Sequence, residues 1–255
     1  MDNPIIEQLL SRRSVRQFTG GAVRDEDLQM IFAAAQQSAN SYNAQVTSLV
    51  VTRDKANLAR IAAIAGGQPQ IAQADLFITF IMDYRRTEIA SRRIGQRQIT
   101  QHSVEAILAG AVDAGIMLTS LQTAANALGY GCTAIGGIRN DPLAMIELLH
   151  LPSLTFPLVG LIMGVPDPQK YPKIKPRLPA ASVIMSEHYD DAAMQAGLSG
   201  YDDRMRHWWD AQGLSQMPNY SQEIAQYFSQ TDQGKVLQAL RQQGFLFTPE
   251  LEIVS

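Results

Sequence analysis

A single cysteine, Cys132, stands among 255 residues, so no internal disulfide can form and no set of thiolates is available to a metal. Histidine is nearly as scarce: the four, at 102, 150, 188 and 207, fall in no HxH or HxxxH spacing, and no bound metal is expected. Charged residues make up only 18% of the chain and their balance is −3. Nucleic-acid binding needs a broad basic surface that releases counterions, and such a surface is missing. There is no GxSxG elbow and no P-loop, so the commonest hydrolase and nucleotide-triphosphatase signals are absent. The most apolar runs, "LFITFIM" and "FPLVGLIMGVP", fall short of the roughly 18 residues that cross a bilayer, so no membrane association is expected. No basic and apolar leader precedes the first helical pattern, which predicts a cytoplasmic protein.

What the chain does have is a 46% hydrophobic content, ample for a large core. Asn3 before Pro4 is a helix start, and Ile5, Ile6, Leu9 and Leu10 supply one apolar face. Leu28, Ile31, Phe32 and Ala35 predict a second helix from about 25 to 38. Buried strands are predicted at 48–52, 74–83 and 156–166, and a short one after Gly129, with helices over "LARIAAIAGG" and after Asp141-Pro142. Helix and strand thus alternate. From 103 to 128 only Glu105 and Asp113 are charged, and Ile107, Ala111, Ala114, Leu118, Leu121, Ala125 and Leu128 form a helical stripe. Val104, Leu108, Val112 and Ile116 lie off that stripe. The helix is therefore apolar nearly all round, the mark of a central helix buried on several sides or of one that also meets a second subunit.

Residues 83–96, "DYRRTEIASRRIGQ", hold Arg85, Arg86, Arg92 and Arg93 and predict a solvated, mobile segment, with a binding role as the alternative. The stretch "DPQKYPKIKPRLPAA" has prolines at 168, 172, 176 and 179 and is expected to be an extended connector. After about 186 the chain is polar and helical. The simplest partition is an α/β core to about residue 180 and a helical extension over 181–255.

Gly129-x-Gly131-x-x-Ala134 fits a dinucleotide fingerprint only superficially, since it follows a helix and leads into a strand, the reverse of the order that mechanism requires. Helix termination and a ligand role both stand open for these glycines. Two basic groups share a chemistry suited to phosphate: Arg12, Arg13 and Arg16 with Ser14, and Lys173, Lys175 and Arg177. Each by itself is equally readable as solvated surface. With no evident nucleophile or acid–base pair, the chemistry is expected to belong to a bound cofactor.

"RRSVRQFT", "SANSYNAQ", "GGQ", "AIGGIRND", "PLVGLIMGVP" and "KPRLP" occur in the order found in the nitroreductase superfamily. Over residues 5–180 the chain resembles the oxygen-insensitive nitroreductase and flavin reductase branch. The resemblance implies one nitroreductase-like domain over 1–255, an α+β fold with a mainly antiparallel sheet wrapped by helices, and an intertwined homodimer in which the 103–128 helix is the dimer helix. It implies FMN as cofactor and NADH or NADPH as co-substrate. By the resemblance, Arg12, Arg13, Ser14, Lys175 and Arg177 meet the FMN phosphate end. Arg16 approaches N1 and O2 of the ring, Gln68 bonds its polar edge, and Ile135, Gly136 and Gly137 lie against N5. Asn40, Ser41, Tyr42 and Gln45 come from the other subunit.

The implied activity is ping-pong hydride transfer from reduced nicotinamide through FMN to small-molecule acceptors: nitroaromatics, quinones or free flavin. A flavin-binding or sensing protein of the same fold is the alternative. In the branch members that prefer NADPH, a basic segment precedes an aromatic residue near the C-terminus. Gln216 and Met217 of "GLSQMPNYS" stand there instead, which predicts relaxed or NADH-leaning use.

Overall fold

The computed structural model describes residues 3–231 and 234–247. Asn3 caps α1 (Pro4–Leu10), its side chain accepting from the Ile5 and Ile6 amides at 3.0 and 3.2 Å. Then come α2 (Asp25–Gln36), β1 (Thr47–Thr52), α3 (Lys55–Ile64), α4 (Pro69–Gln73) and β2 (Leu76–Asp83). After these follow α5 (Arg85–Arg93), the long α6 (Val104–Ala127), β3 (Gly131–Ile135), α7 (Pro142–Leu148) and β4 (Thr155–Gly164). The chain ends with α8 (Asp191–Leu198), α9 (Tyr201–Asp210), α10 (Tyr220–Phe228) and α11 (Lys235–Gln242).

The four strands form one sheet in the order β1-β2-β4-β3, and every neighbouring pair is antiparallel. This corrects the α/β core predicted from alternation: helices lie between successive strands, but none makes a parallel crossover. The sheet is of the antiparallel α+β kind that the resemblance implies. β2 is central and buried along nearly its whole length, so its alternate side chains serve two cores. Leu76, Ile78 and Phe80 pack with Leu161 and Met163 under α2 and α6, meeting Ile31, Ala35, Leu121 and Ala125. Phe77 faces the other way, with Ile162, Leu58, Ile61, Ile71 and Met145. β1 was predicted to be buried, but as an edge strand it is only partly covered between its ends.

Two compact units result, one of residues 3–172 with 234–247 and one of residues 173–231. The second holds α8, α9 and α10, around a buried Tyr201 whose hydroxyl donates to the Pro176 carbonyl at 2.8 Å. Although last in sequence, α11 belongs to the first unit, where Ala239, Leu240 and Phe245 pack with Val46, Met82, Tyr84 and Phe156. Residues 248–255 of the anticipated extension lie outside the described residues.

Residues 85–93 of the arginine-rich segment form a helix, α5, with none of them buried, so the segment is solvated as expected. Glu88 pairs with Arg92 one turn later, and Arg86 reaches out to the Gln45 carbonyl and the Ser48 hydroxyl. α6 has the length and mean hydropathy, 1.6, to cross a bilayer, and it buries Asp113 and Gln122 on its protein-facing side.

At the start of α2, the buried Asp27 accepts both prongs of the Arg24 guanidinium at 2.8 Å and the Tyr130 hydroxyl. These donors hold the Asp27 carboxyl below its ordinary pKa, against the opposing effect of burial. A depressed pKa contributes stability above the unfolded-state value, and that stability is lost as pH falls through the folded-state value. Replacing Asp27 by Asn is therefore expected to lower Tm at neutral pH and flatten its decline on the acid side. Melting curves from about pH 7 to about pH 3 check both.

Candidate functional site

Residues 12–18 run beside the edge strand β3. Val15, buried, donates its N–H to the Cys132 carbonyl at 3.0 Å and accepts the Thr133 hydroxyl at 2.6 Å. Further on, the Asp167 amide donates to the Gln17 carbonyl and the Thr19 amide to that of Val165, both at 3.0 Å. With Val15 turned inward, the extended backbone puts Ser14 and Arg16 on the opposite side. Arg13 is held: its Nε donates to the Ser11 carbonyl at 3.0 Å, its Nη1 to that of Pro172 at 3.2 Å, and the guanidinium lies 4.9 Å from the Tyr171 ring centre. Arg12 and Arg16 make no side-chain hydrogen bond or ion pair with another described residue. Their forked donors are free.

β3 ends at Ile135 and turns through Gly136 and Gly137, after which Asp141 caps α7 by accepting the Ala144 amide at 3.1 Å. A Cβ on Gly137 would lie 2.8 Å from the Ala65 carbonyl oxygen and 2.9 Å from Gln68 Nε2. Glycine alone permits this approach, which seats the turn against the end of α3. Gln68 is already oriented, its amide donating to the Ala65 carbonyl at 3.0 Å and its carbonyl accepting from Gln70 at 2.7 Å. The thiol of Cys132 offers no nucleophile nearby, because burial pushes its pKa up to about 12.

Thus Arg12 to Arg16, Ile135 to Gly137 and Gln68 gather on the β3 side of the sheet. Asn40, Ser41, Tyr42 and Gln45 do not join them, because their loop leads into β1, the opposite edge. Tyr42 is fully exposed, and Tyr42, Asn43 and Gln45 all have φ near +53°, a strained region for residues with side chains. Lys175 and Arg177 belong to the second unit. There Lys175 lies 5.4 Å from the Trp209 ring centre and 3.8 Å from Glu223, and the Arg177 carbonyl accepts from Arg204 at 3.2 Å. In the same unit Arg206 spends its donors on the Ser215 and Met217 carbonyls.

The sequence did not single out Asp113, which is buried on α6 and accepts both the amide and the hydroxyl of Ser41. Its only signal was to be a charge within an apolar run. Arg139 was also missed: it donates to the Leu158 carbonyl beside the Gly136 turn. An apolar face stays bare in the single chain, where Val104, Leu108, Val112 and Ile116 of α6 are exposed at a spacing of four.

Free guanidinium groups and a glycine turn at one side of a helix-wrapped antiparallel sheet define the class, an α+β protein equipped to receive an anionic ligand. Residues 9–165 match the nitroreductase family and residues 175–248 match the nitroreductase family C-terminal domain. The chain belongs to the nitroreductase family. It is 36% identical over 247 residues to FMN reductase [NAD(P)H] of Bacillus subtilis (strain 168), covering 95% of this chain and 98% of that one. It is 32% identical over 243 residues to NADPH-flavin oxidoreductase of Vibrio harveyi, covering 95% and 98%. Among solved structures, NfrA2 of B. megaterium superposes with a TM-score of 0.93 at 36% identity, over 97% of this chain and all of that one. NADPH:FMN oxidoreductase of Vibrio harveyi complexed with NAD+ does so at 0.84 and 31%, over 95% and 98%.

Alanine at 137 must push the turn off α3. Gly137→Ala is expected to lower stability by about 1–3 kcal/mol, measured by denaturant unfolding.

Proposed function

We propose that this chain is an FMN-dependent NAD(P)H oxidoreductase working as a homodimer. The observation that carries this reading is the pair of uncommitted guanidinium groups, Arg12 and Arg16, on the same sheet side as the Gly137 and Gln68 contact. Such a donor set fits FMN, which carries a phosphate at one end and a hydrogen-bonding ring at the other. The names borne by the relatives, FMN reductase and NADPH-flavin oxidoreductase, support the same activity.

FMN, when bound, would supply the hydride chemistry between reduced nicotinamide and a nitroaromatic, a quinone or free flavin. The protein binds and orients. Arg12, Arg13 and Ser14 are assigned to the phosphate. Arg16 is assigned to the N1 and O2 edge, where a fixed positive charge stabilises the negative charge gained on reduction. Gln68 takes the ring's polar edge, and the bare backbone at Gly136 and Gly137 allows close approach beside Ile135. Asn40, Ser41, Tyr42 and Gln45, which lie at the far edge of their own sheet, reach the cofactor bound by the second copy. A homodimer through α6 gives the exposed stripe at 104, 108, 112 and 116 a partner. The cytoplasm, with its supply of reduced nicotinamides, is the proposed location.

Arg206 is spent on backbone carbonyls beside Gln216 and Met217, so this segment lacks a free cation for a 2′-phosphate. A charge-assisted hydrogen bond is worth roughly 1.5–3 kcal/mol, so selectivity for NADPH over NADH is expected to stay below about tenfold in kcat/KM.

The purified protein is expected to be yellow and to bleach anaerobically with NADH or NADPH. No colour and no FMN uptake would overturn the proposal, while colour without bleaching would make this a flavin-binding or sensing protein. Arg16→Ala should make the flavin midpoint potential more negative. Leu108→Asp should convert the dimer to a monomer in light scattering and release FMN, because the 40–45 loop then has no site to complete.

A further inference from the structure

The loop at 40–45 is held in an unusual way. Tyr42, Asn43 and Gln45 have φ of 53°, 53° and 52°, so its backbone would relax if released. Apolar packing holds it only at Ala44, which rests on the Val46 and Tyr84 cluster. Beneath it lies a hollow of about 270 Å³, lined by Ser41, Tyr42 and Ala44 from the loop and by Tyr84, Thr87 and Ala106 from the body. Tyr42 itself touches little, being fully exposed.

Polar ties do the holding. Asn40 closes the loop internally, its side-chain Oδ1 accepting the Gln45 amide at 3.0 Å. At the far end Arg86 donates to the Gln45 carbonyl and, at 3.0 Å, to the Ser48 hydroxyl, which in turn donates to Asp83 at 2.5 Å. At the near end the tie is Asp113. Its two oxygens accept the Ser41 amide at 3.0 and 3.2 Å, and Oδ1 also accepts the Ser41 hydroxyl at 3.0 Å. Asp113 is only 3% exposed on a helix whose one other charged residue is Glu105, and Ser41 is its hydrogen-bonding partner among the described residues. One turn earlier, a Cβ on Gly110 would lie 2.7 Å from the Met82 sulfur, so α6 sits tight against β2 and Asp113 has a rigid base.

The geometry points to Asp113 as a positioning residue: through Ser41 it fixes the strained shape in which the 40–45 loop is presented to a cofactor held by the second copy of the chain. The inference rests on the proposed function, and it assigns Asp113 no contact with the cofactor. A carboxyl group is suited to the task because it can accept an amide and a hydroxyl at once. An Asn side chain there would turn an amide donor toward Ser41 or give up one of the two bonds.

The test uses full-length dimer stripped of flavin and titrated with FMN, comparing wild type with Asp113→Asn, Ser41→Ala and the double variant. Asp113→Asn is expected to raise the FMN Kd about tenfold or more and to change the visible circular dichroism of the bound flavin, with dimer mass and far-ultraviolet spectrum unchanged. Ser41→Ala keeps the amide bond and should shift both in the same direction by less. The double variant should match Asp113→Asn, since the two residues share one interaction. A wild-type Kd and visible spectrum in Asp113→Asn would overturn the assignment. If that variant does not fold, Ser41→Ala decides, and an unchanged Kd and spectrum there would overturn it equally. Failure of the wild type itself to take up FMN would be seen in the first titration and would remove the functional reading together with this one.

Discussion

The first unit is arranged around the approach of α6 to β2 at Gly110. The inward residues of that helix are mostly small, with Ala106, Ala114 and Ala125 buried alongside Gly110, so its axis lies close to the sheet. Close seating leaves little width for side chains on the inner face, and the larger ones at 104, 108, 112 and 116 turn outward. A single chain can cover only one of the two surfaces. The near-uniform apolarity of α6 joins two faces, one packed on its own sheet and one left exposed, which the proposed homodimer would cover. Val112 points out and Asp113 points in, so neighbouring residues of one turn tie the outer face of the helix to the loop before β1.

The two edges of the sheet carry the other half of the design. An open edge invites unwanted pairing with another chain, and both edges here are managed by charge. Along β3 the segment around Val15 covers the strand with few backbone bonds and sets arginines on either side of the one residue it buries. Beside β1, Arg86 reaches over to the Ser48 hydroxyl and to the loop before the strand. Guarding an edge and offering donors to an anion are thus compatible uses of the same residue type.

Much of this was legible in the sequence where the physics is local. Caps at Asn3 and Asp141, the stripe on α6 and the strand runs follow from periodicity and short-range hydrogen bonding, and they appear where expected. Strand direction was not legible, because a helix between two strands looks alike whether the chain crosses over or returns. α5 was read correctly as solvated but not as a helix, although Glu88 and Arg92 at a spacing of four pair along it. The site was legible as a set of ordered motifs and illegible as geometry. Ser41 and Asp113 are 72 residues apart and nothing near either names the other. Nor does local pattern reveal that Gly137 and Gln68 meet, since that contact depends on the seating of α3 against the turn after β3.

α11 and the residues just after it follow the whole second unit in sequence yet supply Ala239, Leu240 and Phe245 to the cluster around Met82 and Phe156. During synthesis the sheet and its first two cores can assemble as the chain emerges, but the third stays open until residue 245 has left the ribosome. The α8 to α10 segment is made in that interval and can fold before the unit that brackets it is closed. Completion of the first unit is therefore a late event that joins distant parts of the chain, with the loop-closure entropy that such a contact carries. A truncation anywhere between β4 and α11 leaves the same apolar surface uncovered, whether or not it touches a residue of the site.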